Sequence, residues 1–161
     1  MNIKYNSSNL NITVAFNKKV KHRYFIEDTL EAGLVLLGWE VKAFKSGNIN
    51  IIDSYVSFYL GEVYLIDSQF SSLYTNNIHI SYDSNRKRKI LLKKYEIIFL
   101  YNKIYKNNYT AVALEFFLKN NWCKTKIAIV KGKTQYDKRE IERKNKWKLE
   151  KNRIMKSKSL S

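Results

Sequence analysis

The sequence predicts a mainly β protein with helices: an oligonucleotide-binding-type closed antiparallel barrel, flanking helices and a basic C-terminal tail that is disordered when free. Three observations lead to this class. Short apolar runs alternate with turn residues, only two segments have helical periodicity, and the last 31 residues are too polar to pack as a core element. We therefore divide the chain into a flexible leader (1–11), the barrel (12–130) and the tail (131–161).

The first half of the barrel is predicted to contain strands, one short helix and one hairpin. Residues 24–36 are apolar and aromatic, which indicates two strands joined by a bend at Glu31-Ala32-Gly33. Residues 39–46 have helical spacing and stop at Gly47, a typical end of a helix. A β-hairpin follows, with strands at 54–58 and 63–66 around a Leu60-Gly61 turn. The polar segment 71–85 is then predicted to be mostly loop.

The second half is predicted to contain one long helix and a second hairpin. Apolar residues at spacings of three, four and seven over 88–106 predict an amphipathic helix of about five turns. Segments 109–118 and 122–130 are rich in β-branched and aromatic residues, and residues 119–121 form the turn between them. The last strand has one apolar face, and its other face is basic near the start.

The charge distribution indicates a polyanionic partner. The net charge is +16, and residues 131–161 contain 12 of the 30 Lys and Arg residues but only 4 of the 14 Asp and Glu residues. Half of the net charge therefore lies in less than a fifth of the chain. Residues 86–89 add four cations at the start of the predicted long helix, where they oppose the helix dipole unless an anion is near. Nucleic acid is the commonest partner of such a protein.

Other classes of function are not supported by the sequence. No apolar run approaches the roughly 18 residues of a membrane span, and residues 1–11 lack the apolar stretch of a signal peptide. The single cysteine, Cys123, permits no internal disulfide and no Cys-based metal site. We expect a cytoplasmic protein that is not an enzyme and has no membrane partner, metal or cofactor. A ribonuclease that uses His22, His79 and a lysine is the alternative from another class of function.

Short strings at distinctive separations provide a more specific indication: Glu31-Ala32-Gly33-Leu34, Gly38-Trp39-Glu40-Val41-Lys42, Asp53-Ser54-Tyr55-Val56, and Gly132-Lys133 with Asp137-Lys138-Arg139. Together they resemble the small protein B family, the SsrA-binding (tmRNA-binding) proteins of bacterial ribosome rescue. The resemblance runs from about residue 17 to residue 156. It implies an oligonucleotide-binding-type barrel that binds the tRNA-like domain of tmRNA and helps to deliver it to stalled ribosomes for trans-translation.

The resemblance also implies roles for individual residues. Three positions match family residues implicated in tmRNA contact, and four more are expected near them on the same surface: Glu31, Leu91 and Lys124, then Lys18, His22, Tyr24 and Lys89. The tail is implied to become helical in the empty mRNA path of the small ribosomal subunit, beside rRNA of the decoding centre. Its matching residues are Gly132, Lys133, Tyr136, Asp137, Lys138, Arg139, Trp147, Ile154, Met155 and Lys156.

Two features depart from the family pattern. Ser84 follows Asp83 where the family usually has proline, and residues 76–81 are atypical, so the conformation of the loop 76–85 is left open. A ribosomal protein with an rRNA-binding tail is the alternative from the same broad class. The affinity for RNA and the number of copies per ribosome are also left open.

Overall fold

The fold is mainly β sheet with a few helices, as predicted. The computed structural model describes residues 5–6, 11–72 and 83–134, together with residues 137, 139, 140, 143, 146, 147, 149–151 and 155. Within these residues the strands are β1 Tyr5–Asn6, β2 Asn11–Phe16, β3 Tyr24–Leu34, β4 Ile49–Asn50, β5 Tyr55–Tyr59, β6 Glu62–Ile66, β7 Gln69–Phe70, β8 Arg88–Leu91, β9 Thr110–Lys119 and β10 Trp122–Gly132. The helices are α1 Lys18–Arg23, α2 Gly38–Ser46 and α3 Lys94–Asn107.

Eight of these strands form one antiparallel sheet in the order β1-β2-β9-β10-β3-β8-β6-β5. A further antiparallel pair, Tyr55 with Val112, joins β5 to β9. The strands β9, β10, β3, β8, β6 and β5 are therefore linked in a ring of hydrogen-bonded neighbours. The short strands β4 and β7 pair with each other separately.

Two apolar clusters hold the sheet to its helices. The larger one contains α2 residue Phe44, whose ring stacks on Phe116 with centroids 5.4 Å apart, and also Ile127 and Ile129 of β10. The smaller one joins Val20 of α1 to the opposite face of the sheet, including Ala128 and Val130. The predicted alternation along the last strand is thus confirmed, because its odd and even positions enter different clusters.

Three other local predictions are confirmed. The short helix is α2, and Gly47 ends it in the left-handed conformation at φ 78°. The first hairpin is β5–β6, with Leu60 and Gly61 at φ 49° and 76°. The second hairpin is β9–β10, whose turn residues Asn120 and Asn121 also have positive φ. Glycine and asparagine tolerate this conformation better than most residues, so Gly61 and the Asn120-Asn121 pair favour these turns, whereas Leu60 adopts it at a steric cost.

The predicted long helix is wrong at its beginning. Residues 88–91 form β8, which pairs with β6 and β3, and α3 starts only at Lys94. Ile90 and Leu91 fit a helical spacing with Ile97, but Arg88 and Ile90 are buried on one side of a strand. The basic run 86–89 therefore does not begin a helix. Glu40 pairs with Arg86 and Arg88, and Glu62 pairs with Lys89.

Two further predictions need correction. Residues 24–34 form one continuous strand without a bend at Glu31-Ala32-Gly33, because those residues pair in register with β10. The irregularity lies instead opposite Ile129 and Val130, where β3 has one extra residue.

The helix α1 was not predicted, since Val20 is its only buried residue. Within the predicted leader 1–11, Tyr5 and Asn6 pair with β2. The flexibility of the leader stays a prediction.

A buried ion pair joins α2 to β8. The Arg88 guanidinium is fully buried and donates from Nε to Oε1 of Glu40 at 2.9 Å. It also donates to the Ser68 carbonyl at 2.6 Å and lies 3.9 Å from the centroid of the Phe70 ring. The other Glu40 oxygen accepts from Arg86 at 2.6 Å and from the Leu37 backbone N–H at 2.7 Å. Burial lowers the pKa of the Arg88 guanidinium, and the Glu40 carboxylate opposes that shift.

We expect Glu40→Gln to destabilise the protein by about 3–5 kcal/mol, because two arginines would lose their buried counter-charge. Glu31→Gln is the matched control. Its carboxylate is half-exposed and lies 3.4 Å from Lys119, so its loss should cost less than about 1 kcal/mol. Urea unfolding followed by circular dichroism measures both. Equal losses in the two variants would contradict the structural role given to Glu40.

Candidate nucleic-acid interface

An open, mostly apolar cavity of about 400 Å³ lies where β3, β8 and β10 meet at one end of the sheet. Its lining comes from the end of β3, the loop before α2, α2 itself, the end of β8, and the β9–β10 turn with the start of β10: Gly33, Leu34, Leu36, Val41, Leu91, Asn121, Trp122, Cys123 and Lys124. Strand pairing brings these segments together, since Gly33 lies opposite both Leu91 and Lys124. Two predicted RNA-contact residues, Leu91 and Lys124, thus share one cavity.

Gly33 allows the close approach that shapes this cavity. A Cβ atom at that position would lie 3.4 Å from both Cβ and Cδ1 of Leu91, which is a tight contact. The Leu91 side chain is 53% exposed and covers the glycine, so an apolar surface faces solvent at the cavity wall. A Cβ atom at position 33 would therefore require Leu91 to shift by a few tenths of an ångström.

Trp122 is a lining residue to which the sequence analysis gave no role. Its indole is 73% exposed at the first position of β10, directly after the two asparagines of the turn. A large aromatic residue at the exposed start of a strand was the available signal, because such a ring has no core to enter. Lys124 follows two positions later on the same side of the strand and is half-buried.

Carboxylates fix the cations around this end of the sheet. Glu31 on β3 lies opposite Lys126 in the register and accepts a hydrogen bond from Lys119 at 3.4 Å. Lys89 on β8 forms an ion pair with Glu62 on β6, which also accepts from the Tyr64 hydroxyl at 2.8 Å. The hydrogen bond from Lys89 lowers the pKa of the Glu62 carboxyl, and the same bond raises the pKa of Lys89.

The other predicted RNA-contact residues lie at the opposite end of β3. Tyr24 begins this strand, pairs with Gly132, and follows the helix that contains Lys18 and His22. Gly33 at the cavity is nine residues further along, a separation of about 30 Å at the usual rise of a strand. Lys18 and Tyr24 therefore do not line the cavity, and an RNA contact by either residue would be a separate contact point.

The tail leaves the sheet at this second end. Strand β10 continues to Gly132, two residues beyond the predicted boundary of the barrel. The Lys133 backbone N–H donates to the Arg23 carbonyl at 3.1 Å, and its ammonium donates to the Lys21 carbonyl at 2.7 Å. This ammonium also lies 4.9 Å from the centroid of the Phe25 ring. The structure thus gives Lys133 contacts within the chain.

From Asp137 onward, the tail residues that the structure describes have helical backbone conformation. Of the predicted ribosome-contact residues, Arg139, Trp147 and Met155 are exposed, and Asp137 is half-buried. The predicted residues Tyr136, Lys138, Ile154 and Lys156 lie outside the described residues, as does His79 of the ribonuclease alternative. The disorder of the free tail stays a prediction.

Two features are absent from the described residues. No group of three or more His, Cys, Asp or Glu side chains there is placed to hold a metal ion. None of the helices described is long and apolar enough to cross a bilayer.

A mainly β fold with a basic tail and an aromatic-lined cavity beside a lysine defines a nucleic-acid-binding class of protein. Comparison with known proteins gives the family. The model of the SmpB protein family matches residues 14–157, so the chain belongs to this family. The chain is 47% identical over 154 residues to the SsrA-binding protein of Buchnera aphidicola subsp. Baizongia pistaciae (strain Bp). This matched region covers 96% of this chain and 98% of that protein.

A solved structure described as "tmRNA-SmpB: a journey to the center of the bacterial ribosome" has a similar fold. It is 31% identical, with a TM-score of 0.60 over 75% of this chain and 85% of that one. Family membership, expected from the resemblance in the sequence, is confirmed.

We expect the Glu62 carboxyl to titrate below its ordinary pKa in the folded protein and to return toward that value in Lys89→Met. The ion pair should then stabilise the fold at neutral pH and lose this effect as pH falls through the lowered pKa. Carbon-detected NMR titration of the glutamate side chains measures the shift. Lys106→Met, at an exposed lysine in the last turn of α3, is the control and should leave Glu62 unchanged. An unshifted Glu62 in the parent protein would contradict the pairing.

Proposed function

We propose that this protein binds tmRNA (SsrA RNA) and acts in trans-translation, the rescue of stalled bacterial ribosomes. The single observation that carries the proposal is the cavity that brings Leu91 and Lys124 together next to β3, in a chain of the SmpB family. A relative 47% identical is an SsrA-binding protein, and a structure 31% identical is described with tmRNA and the bacterial ribosome.

The ring of six strands is, in this proposal, a closed barrel of the oligonucleotide-binding type, and it binds the tRNA-like domain of tmRNA. An unstacked base enters the cavity and packs between Leu91 and the exposed Trp122 indole. Lys124 at the rim supplies a cation for the adjoining phosphate. Glu31 contributes only hydrogen-bond acceptors, so its partner is a hydroxyl or an amino group of the RNA.

The tail, 131–161, contacts the small ribosomal subunit in the empty mRNA path near the decoding centre. Its described apolar residues Trp147, Leu149 and Met155 are 62–65% exposed, so they are available to pack against a partner. An mRNA in this channel would exclude the tail by occupying the same volume. The tail thereby tests whether the channel is empty without reading a sequence.

The proposed activity is binding and delivery of alanyl-tmRNA, not catalysis, and it takes place in the cytoplasm where stalled ribosomes are. Residues 12–130 form the RNA-binding unit in this proposal, after the leader 1–11. Two alternatives predict other results in a binding assay with total bacterial RNA. A ribosomal protein would retain rRNA in preference to tmRNA, and a ribonuclease would cleave the labelled RNA during incubation.

Truncation after Thr134 should preserve tmRNA binding and abolish peptide tagging. The truncated chain keeps all of β10 and the Lys133 contacts to α1, so the sheet stays complete. A gel shift with tmRNA and a tagging assay on ribosomes stalled on an mRNA without a stop codon measure the two activities. Loss of tmRNA binding by a truncated protein with a native circular dichroism spectrum would show that RNA recognition does not reside in the barrel.

Lys124→Ala and Glu31→Ala should both weaken tmRNA binding but differ in salt dependence. Removal of one phosphate contact should reduce the slope of log affinity against log salt by roughly 0.7 to 0.9. Removal of a carboxylate acceptor should leave that slope nearly unchanged. Binding titrations at four or more salt concentrations give the slopes. Lys106→Ala on α3 is the matched control for general loss of charge, and equal slopes for Lys124→Ala and the parent protein would exclude the phosphate contact.

A further inference from the structure

Asp137 is an unusual residue in its surroundings. It lies in a tail with 12 cations and 4 carboxylates, directly before Lys138 and Arg139, and this tail is proposed to meet RNA phosphates. A carboxylate has no favourable direct interaction with a phosphate group. Its place in the Asp137-Lys138-Arg139 string therefore needs a different explanation, and the structure supplies one.

Thr134 forms a reciprocal pair with Asp137, the first tail residue that the structure describes as helical. The Thr134 backbone N–H donates to Oδ2 of Asp137 at 3.1 Å, and the Thr134 hydroxyl donates to the same oxygen at 2.6 Å. In return the Asp137 backbone N–H donates to Oγ1 of Thr134 at 3.3 Å. This is the geometry of a capping box, with threonine at the N-cap and the acidic residue three positions later.

The residue just before this cap is fixed to the folded domain. Lys133 donates hydrogen bonds from its backbone and its ammonium to carbonyls of α1, at Arg23 and Lys21. Its ammonium also lies over the ring of Phe25 on β3. The N-cap of the tail helix is therefore held at a defined point, at the end of α1, and the first turn starts from there.

We infer that Thr134 and Asp137 are positioning residues that nucleate the tail helix and set its direction of exit from the sheet. The inference rests on the proposed function of the tail, to which it adds that the aspartate acts through Thr134. Formation of the first turn is the costly step of helix formation, since several residues must be fixed before the first hydrogen bond is gained. When the first turn is already capped next to the sheet, only growth of the helix along the distal tail remains, and this growth takes place on the ribosome. The arrangement agrees with a distal tail that folds upon binding.

The electrostatics of the cap agree with this role. Hydrogen bonds from Thr134 lower the pKa of the Asp137 carboxyl, so the carboxylate is ionised at neutral pH. A negative charge in the first turn also interacts favourably with the helix dipole. Because the pKa of the Asp137 carboxyl is lowered in the capped state, the cap contributes fully to helix stability at neutral pH. This contribution is lost as pH falls through the lowered pKa.

The test is a double-mutant cycle in the full-length protein with Thr134→Val, Asp137→Ala and both together. Each single variant should reduce tagging on a stalled ribosome by about fivefold, the typical effect of losing one helix cap. The double variant should tag more slowly than either single variant, but by less than the product of the two effects. Both changes remove the bond between the Thr134 hydroxyl and the Asp137 carboxylate, whereas each single variant keeps one backbone hydrogen bond of the cap. Thr134→Ser keeps the hydroxyl and should restore tagging. All variants should bind tmRNA normally, since neither residue lines the cavity or contacts the sheet.

An independent readout comes from NMR of the free protein. The Thr134 amide resonance should titrate with the Asp137 carboxyl and should cease to do so in Asp137→Ala. Full tagging by Thr134→Val combined with loss in Asp137→Ala would overturn the inference and indicate a direct ribosome contact by the aspartate, and so would multiplicative effects in the double variant. Failure of the unmutated protein to support tagging would instead refute the proposed function.

Discussion

The buried pair of Glu40 and Arg88 is the interaction on which the rest of the structure depends. A guanidinium that is completely removed from water requires a counter-charge and a hydrogen-bond acceptor for each N–H group. Arg88 obtains these from Glu40, from the Ser68 and Ser84 carbonyls and from the Arg86 carbonyl. Few arrangements of α2, β7 and β8 satisfy all of these partners at once. The pair therefore specifies where β8 lies, and β8 carries Leu91 to the wall of the cavity.

A similar arrangement recurs with less burial around the cavity end of the sheet. Each carboxylate there orients a lysine from a different strand, as Glu62 does for Lys89 and Glu31 does for Lys119. Such half-exposed pairs add little to stability, so their importance lies in geometry. In a protein with a net charge of +16, they prevent neighbouring cations from repelling one another out of position. The few acidic residues thus organise the positive surface.

Sequence patterns predicted the parts of this fold that are determined locally. The β9–β10 hairpin follows from alternating residues around Asn120-Asn121, and α2 follows from its spacing and Gly47. The start of α3 was mispredicted because residues 88–91 satisfy both a helical and a strand pattern, and the choice depends on Glu40, 48 positions away. Leu91 and Lys124 were found as site residues only through the family resemblance. The cavity between them and the role of Trp122 depend on strand register, which the sequence does not state.

The length of β3 has a consequence for how this molecule meets its partner. One end of the strand lies at the cavity and the other end lies where the tail leaves the sheet. Pairing with β10 on both sides of a single bulge fixes the distance between them. The sheet therefore holds the cavity and the start of the tail about 30 Å apart, so they can contact only points of a partner at a similar separation. Loss of one residue pair from β3 and β10 would reverse the side-chain faces of both strands beyond that point. Loss of two pairs would keep the faces and shorten the distance between cavity and tail by about 7 Å. A change of reach in steps of two residue pairs needs no further adjustment, whereas a single extra residue requires a bulge such as the one in β3 opposite Ile129 and Val130.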